Sequence, residues 1–251
     1  MKKRKLSILV FSLFISFTLL STPTFADNES TVADETVAIL KEMGEAEITK
    51  EDVLTTLENL RDEYNQRLID ETDPIIINQL QIQVESVTEM INQQSNLVSR
   101  QDSRSVITSR CVGHNINVAA IVTWFRNNGY TLSADLLVYA SKNTSSNNVY
   151  YLGSGNVNKI RATSWWSSVK GKWPIAGSSR FTSGDLYYSI NKFSYKPASV
   201  YGELIISDVY DYTYDTSYPA IQGIAVNAMA NAQAMGCITP FKVRANVQIM
   251  R

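Results

Sequence analysis

An α+β fold is expected for this chain: a mainly antiparallel sheet with packed helices, preceded by an α-helical hairpin or coiled-coil region. Three observations predict it. Before residue 100 the apolar residues recur at helical spacing, whereas beyond it helical stripes mix with alternating strands. Charge changes sign at the same place. Residues 27–99 carry 17 acids and 4 bases, a net −13, and residues 100–251 carry 15 bases and 7 acids, a net +8. The overall charge of −1 hides this split. Aromatics divide there too: Tyr64 is alone between residues 27 and 99, and all four Trp come later. Four regions follow: a signal peptide at 1–26, an acidic hairpin (propeptide-like or a stalk) at 27–99, a linker at 100–110 and a basic domain at 111–251.

The first region opens with basic Lys2–Lys3–Arg4–Lys5, runs apolar from Leu6 to Leu20 and ends on Thr24–Phe25–Ala26. A basic start, a short apolar core and a small residue at the end make a secretory signal, with cleavage expected after Ala26. The run falls short of the roughly 20 residues of a membrane span, and an uncleaved anchor is the alternative. No Cys follows the cleavage site and no Leu-Pro-x-Thr-Gly sequence appears. The expected product is soluble, secreted and extracellular.

A short helix is expected over Val37, Leu40 and Met43, ending at Gly44. Thr49 then caps a stronger helix, with Glu51 and Asp52 in its first turn. Its stripe is Val53, Leu57, Leu60, Tyr64 and Leu68. Asp73–Pro74 breaks it, because the residue before proline disfavours the helical region. A second stripe follows at Ile76, Leu80, Val84, Val87 and Ile91. Two stripes this narrow bury little alone, so the hairpin is expected to dock on the basic domain. Residues 98–110 are polar, with Arg100, Arg104 and Arg110, and read as a connector or a processing site.

In the basic domain a helix is expected over Asn115–Asn128, closed by Gly129. Ser133 is expected to cap a second helix bearing Leu136, Leu137 and Ala140. Val149–Leu152 reads as a strand, Gly153–Ser154–Gly155 as a turn, and Ile160–Val169 as helical. Gly171–Arg180 reads as loop. Leu186, Tyr188 and Ile190 alternate as in a strand, which is the expectation, although Leu186, Tyr187, Ile190 and Phe193 also suit a helix. Lys196–Ser199 turns the chain. Tyr201–Asp215, YGELIISDVYDYTYD, is the central strand with its polar exit. Ile221–Met235 is a helix with Gly236 past its end, and Phe241–Met250 is the final strand, with alternate residues on one face.

Cys111 and Cys237 are the only cysteines, near the two ends of the domain. A disulfide between them is expected, worth about 4–5 kcal/mol by loop closure. The alternatives are two reduced thiols, or a dyad of Cys111 with His114, the only His. A structural zinc is not expected from two thiols and one His. Gly153–Ser154–Gly155 lacks the third Gly and the Lys of a phosphate loop. Trp165–Trp166, Trp173, Tyr187 and Tyr188 read as core or as a stacking surface for sugar or lipid, with Trp173 beside Pro174 the exposed one.

Asp208–Val209–Tyr210–Asp211 lies at the strand's exit, with Asp208 and Tyr210 on one face and Val209 and Asp211 on the other. Such a pair of acids can hold a divalent cation or serve as acid and base. The plainer reading is a turn that caps backbone groups. Asp-x-Tyr-Asp at the end of an antiparallel strand resembles the signature of colicin M-type bacteriocins, which cut a lipid-linked peptidoglycan precursor at its pyrophosphate with Mg²⁺ assistance. The resemblance implies catalytic roles for Asp208, Tyr210 and Asp211, with Mg²⁺ held by Asp208 and Asp211. The downstream His and Arg of that family are replaced by Tyr212–Tyr218, so His114 or Arg244 would have to substitute through the fold.

The expected function is therefore engagement of an anionic envelope component: a wall polymer, a lipid-linked precursor or a membrane surface. Trp173, Tyr212 and Arg244 are the candidate binding residues, and hydrolysis of a lipid-linked precursor is the candidate activity. The alternative is a non-catalytic binding module or an adhesive surface protein. Nucleic acid is not among the expected partners.

Overall fold

The computed structural model describes residues 49–99, 112–170, 172, 176–199, 202–213 and 220–249; within these, residues 50, 96–99, 112–116 and 220–225 are described by backbone alone. The expected signal peptide, the expected short helix near Val37–Met43, the expected linker at 100–110, Cys111, Trp173 and Tyr214–Asp215 lie outside the described residues.

The hairpin is formed by α1 (Lys50–Asp70) and α2 (Pro74–Ser99). Thr49 and Asp52 cap α1 reciprocally: the Asp52 N–H donates to Thr49 Oγ1 at 3.2 Å, and the Thr49 N–H donates to Asp52 Oδ2 at 2.7 Å. Pro74 opens α2, where its missing N–H costs nothing, and Asp73 Oδ1 accepts the Ile75 N–H at 2.8 Å. Val53, Leu57, Leu60 and Tyr64 of α1 are buried, as are Leu80, Val87 and Ile91 of α2.

The stripes join the same apolar core as the rest of the chain. They pack against α3 (Val112–Asn127) and α4 (Thr131–Lys142). Gly129 ends α3 at φ +74°, a left-handed conformation that costs glycine little, and the Tyr130 N–H reaches back to the Phe125 carbonyl at 2.7 Å.

Then come β1 (Val149–Tyr151), α5 (Ser154–Arg161), α6 (Ser164–Val169), β2 (Gly177–Arg180), α7 (Gly184–Ser189), β3 (Lys192–Pro197), β4 (Glu203–Tyr210), α8 (Ala220–Ala234) and β5 (Phe241–Gln248). The strands form one mixed sheet in the order β1-β5-β4-β3-β2. β1 runs parallel to β5, and the other three pairings are antiparallel. With these helices the fold is α+β. Phe241, Val243, Ala245 and Val247 of β5 turn inward and are buried, as the alternation requires.

Six local expectations are corrected. Residues 184–189 form α7 rather than a strand. The helix aims the Asp185 carboxylate at the start of α4, where it accepts the Leu132 and Ser133 N–H groups, both at 2.9 Å. Asp185 thus does the capping expected of Ser133, and Lys159 neutralises it at 2.5 Å. Lys196 and Pro197, expected to turn the chain, belong to β3, which carries Phe193 inward to the core. Residues 160–169 are two helices, because Thr163 Oγ1 accepts the Trp166 N–H and restarts the helix. Gly153 is the cap residue of α5 instead of part of a free turn. Residues 177–180, expected as loop, add the edge strand β2.

The opposite edge, β1, is closed by the hairpin. Gln79 of α2 accepts the Tyr151 N–H at 2.7 Å and donates to its carbonyl at 3.1 Å, so one amide side chain stands in for a neighbouring strand. Below it, the Tyr64 hydroxyl donates to Asp135 Oδ1 at 2.8 Å, and Gln83 donates to the Asp135 carbonyl at 3.0 Å. Arg67 and Arg126 lie 3.5 and 4.0 Å from the same carboxylate. Burial raises the Asp135 pKa, outweighing the downward pull of Arg67, Tyr64 and Arg126. Glu63–Arg126 and Glu89–Lys142 bridge the rim of the contact.

Candidate functional site

β4 places the site by alternation. Leu204 and Ile206 turn into the core, and Asp208 and Tyr210 continue the same face toward the strand's exit. Tyr210 is buried and Asp208 half-buried. There the helix layer leaves a cavity of about 390 Å³. Trp124 and Phe125 of α3, Tyr187 and Tyr188 of α7, and Met229 of α8 wall it, and Asp208 to Thr213 form its floor.

The walls are ordered by ring contacts. Trp124 meets Tyr188 edge-on at 5.8 Å and 89°, and Tyr130 packs behind them against both rings. Tyr210 and Tyr212 share a hydrogen bond between hydroxyls at 2.5 Å. Gln233 of α8 grips the backbone of Tyr212, accepting its N–H at 2.9 Å and donating to its carbonyl at 3.2 Å. The chain leaving β4 is thereby held against α8, and the floor is built rather than loose.

Electrostatics follow from this burial. The Asp208 carboxyl is pushed up to about 7, chiefly by desolvation and less by the neighbouring Asp211 charge, against its hydrogen bond from the Val209 N–H at 2.8 Å. Asp211, more exposed, is raised by desolvation as well. Burial also raises Tyr210 and Tyr212, which stay protonated as donors. Asp208 can thus gain or release a proton near neutrality beside a second carboxyl, in an apolar cavity.

Of the sequence-predicted residues, Asp208, Tyr210, Asp211 and Tyr212 converge on this cavity. Arg244 does not join them. It lies directly across from Ser207, hence on the other face of the sheet, with its guanidinium 5.9 Å over the Tyr151 ring. His114 sits in the first turn of α3, two to three helical turns from Ile121 and Trp124 of the wall, roughly 10–15 Å along the axis. Its side chain, like all of Trp173, is outside the description. Trp166 is core, and Trp165 packs on Phe193 at 4.8 Å, so that pair is no stacking surface. Tyr187 and Tyr188 do face the cavity.

Asp208 and Asp211 are two hard oxygen donors. Among the described residues no group of three or more His, Cys, Asp or Glu gathers. Cys237 is buried just past α8, and no described cysteine is free. Sequence reasoning missed Trp124, Lys192 and Gln233 at the site. Trp124 carried a usable signal, as an aromatic one position before a residue of the apolar stripe. Lys192 and Gln233 carried none, since only the fold brings them to β4's exit. No described helix is long and apolar enough to cross a membrane. No protein family, curated protein or solved structure matches the chain.

Proposed function

We propose that this is an exported hydrolase of the bacterial envelope, with Asp208 as the group that moves the proton at a phosphoester of a lipid-linked wall precursor. The single supporting observation is the carboxyl of Asp208, ionising near pH 7 inside an aromatic-walled cavity with Asp211 beside it. Two carboxyls in unlike environments divide acid and base roles. Asp208, the more buried, donates to the leaving oxygen. Asp211, the more exposed, orients water. One hydroxyl of the Tyr210–Tyr212 pair, the one that accepts from the other, donates to a phosphoryl oxygen, and the aromatic walls take the apolar part of the substrate.

Mg²⁺ suits the same pair, since this ion is commonly held by one or two carboxylates and completed by water and substrate phosphate. Bound there, it would supply a Lewis acid at the phosphoryl oxygens in place of the proton from Asp208. Residues 27–99 form the propeptide-like or stalk region of this reading, as a helical hairpin or coiled coil, and residues 111–251 the active domain. A Cys111–Cys237 disulfide clamps the latter.

The test is incubation of the secreted protein with purified lipid-linked precursor, with and without Mg²⁺, and mass detection of the released head group. Wild type should turn over, and Asp208→Asn should lose at least a hundredfold. Absence of turnover under both conditions would leave the binding-module reading. That reading has its own support in the cationic face of the sheet.

A further inference from the structure

The helices gather on one face of the sheet, where Tyr150, Phe193, Leu204, Tyr210, Phe241 and Val247 are buried in the core. The other face carries Arg180, Lys192, Lys196, Lys242 and Arg244, against Glu203 as its single acid among the described residues. Arg180 and Lys192 stand directly opposite each other across β2 and β3. Like charges in that position repel, and an ordinary sheet surface would offset them with a carboxylate. None of the five cations makes an ion pair with a described residue, whereas the remaining arginines and lysines at the hairpin contact and at Asp185 do. Arg244 even keeps its Nε buried without a hydrogen-bond partner.

The pattern along the face is mostly polar, with Ile205, between Lys196 and Asn246, as a buried apolar exception. Ser178, Ser194, Ser207, Arg244 and Tyr151 form one continuous row across all five strands. Arg180 pairs with Lys192 at one end of the neighbouring row, and Lys242 pairs with Val209 at the other. Strand spacing sets the cations of that row at multiples of roughly 4.8 Å. Val209 is the one exposed large apolar side chain here. One exposed valine is little to wedge into a bilayer, and the ring of Tyr151 already lies under Arg244. Lys192 and Val209 also line the cavity that holds Asp208.

We infer that this open sheet face is a docking surface for a linear phosphodiester polymer of the cell wall, laid across the strands with its phosphates on the five cations. The cavity mouth opens beside the middle of that track, where Lys192 and Val209 line it. The inference builds on the reading of an anionic envelope partner and stands independently of hydrolysis at Asp208.

The experiment titrates the full secreted chain with poly(glycerol phosphate) at several salt concentrations. Five phosphate contacts predict a slope of roughly −3.5 in log K against log salt, from about 0.7 per contact on a flexible polyanion, and a loss of about a hundredfold between 50 and 200 mM. Arg180→Glu with Lys242→Glu should weaken binding at least tenfold and flatten the slope. Arg61→Glu with Lys170→Glu makes the same charge change away from this face and should leave binding within about twofold. Circular dichroism checks folding, and the milder Lys196→Gln should lower the slope by about 0.7 in any case. Equal binding by both double variants would overturn the assignment. So would tighter binding, per phosphate, to phosphatidylglycerol vesicles or to single-stranded DNA.

Discussion

Tyr64→Phe tests whether the hairpin and the sheet-bearing part of the chain fold as one body. The substitution removes one oxygen and no packing volume, so no cavity term enters. What it removes is the 2.8 Å hydrogen bond to Asp135 Oδ1, between two buried side chains on opposite sides of the contact. Hydrogen bonds to charged groups contribute about 1.5–3 kcal/mol, and a buried carboxylate short of a donor keeps its desolvation cost. Arg67 at 3.5 Å and Arg126 at 4.0 Å remain and limit the loss, which places the effect near 2 kcal/mol by the same principle. With a urea slope of about 2 kcal/mol/M, the midpoint should fall by about 1 M, and fluorescence and circular dichroism should report one shared transition. A shift below about 0.5 kcal/mol would show that Asp135 does not depend on the hairpin. Two separate transitions would refute the single core altogether.

Gln79→Ala strips the cover from the β1 edge and leaves two backbone groups of Tyr151 unpaired; it should cost about 1–3 kcal/mol and speed amide exchange at Tyr151. Asp208→Asn should make the protein more stable above neutral pH. Its pKa is raised to about 7 in the fold, so between the unfolded value near 4 and pH 7 the folded state holds the extra proton, and wild-type stability falls as pH rises through that window. Urea midpoints from pH 4 to 8 should converge with those of the variant at the acid end, and parallel curves would contradict the shift. Thiol titration of the denatured, unreduced protein should find no free thiol if Cys237 is bonded to Cys111, and two free thiols would remove the clamp.

The strand that carries the site was legible because its signals are local. Alternation in Leu204, Ile206, Asp208 and Tyr210 gives the face, and the run of acids and phenols gives the exit. Caps at Thr49 and Gly129 and the break at Asp73–Pro74 were legible for the same reason. Failures came where a distant partner decides. Leu186 and Tyr188 fit either period, and α7 wins because Asp185 then caps a helix more than 50 residues away in sequence. Gln79 and Gln83 lie off the apolar stripe of α2, yet they are among its most buried residues, because the amide groups serve β1 and Asp135. Arg244 reads like any basic residue of a late strand. Only the register, which sets it opposite Ser207, removes it from the carboxyls.

The acidic hairpin docks on the rest of the chain, as its narrow stripes require, and the contact is only sparsely ionic. The hairpin spends its acids sparingly, Glu63 on Arg126 and Glu89 on Lys142, while Arg67 pairs in the reverse sense with Asp135. Its hold is apolar, through Leu57, Leu60, Leu80 and Val87 in the shared core. None of its described residues lines the cavity. The opposition of charge therefore survives folding: the helix side stays acidic and the open sheet face stays cationic. On the proposed reading, an anionic wall would turn a molecule polarised in this way so that the sheet face arrives first, carrying the mouth of the Asp208 cavity with it. Salt separates the two associations. Screening beyond roughly 10 Å at 0.1 M weakens the approach of the sheet face to polyanion, while the hairpin contact, sealed by buried side chains, keeps its strength.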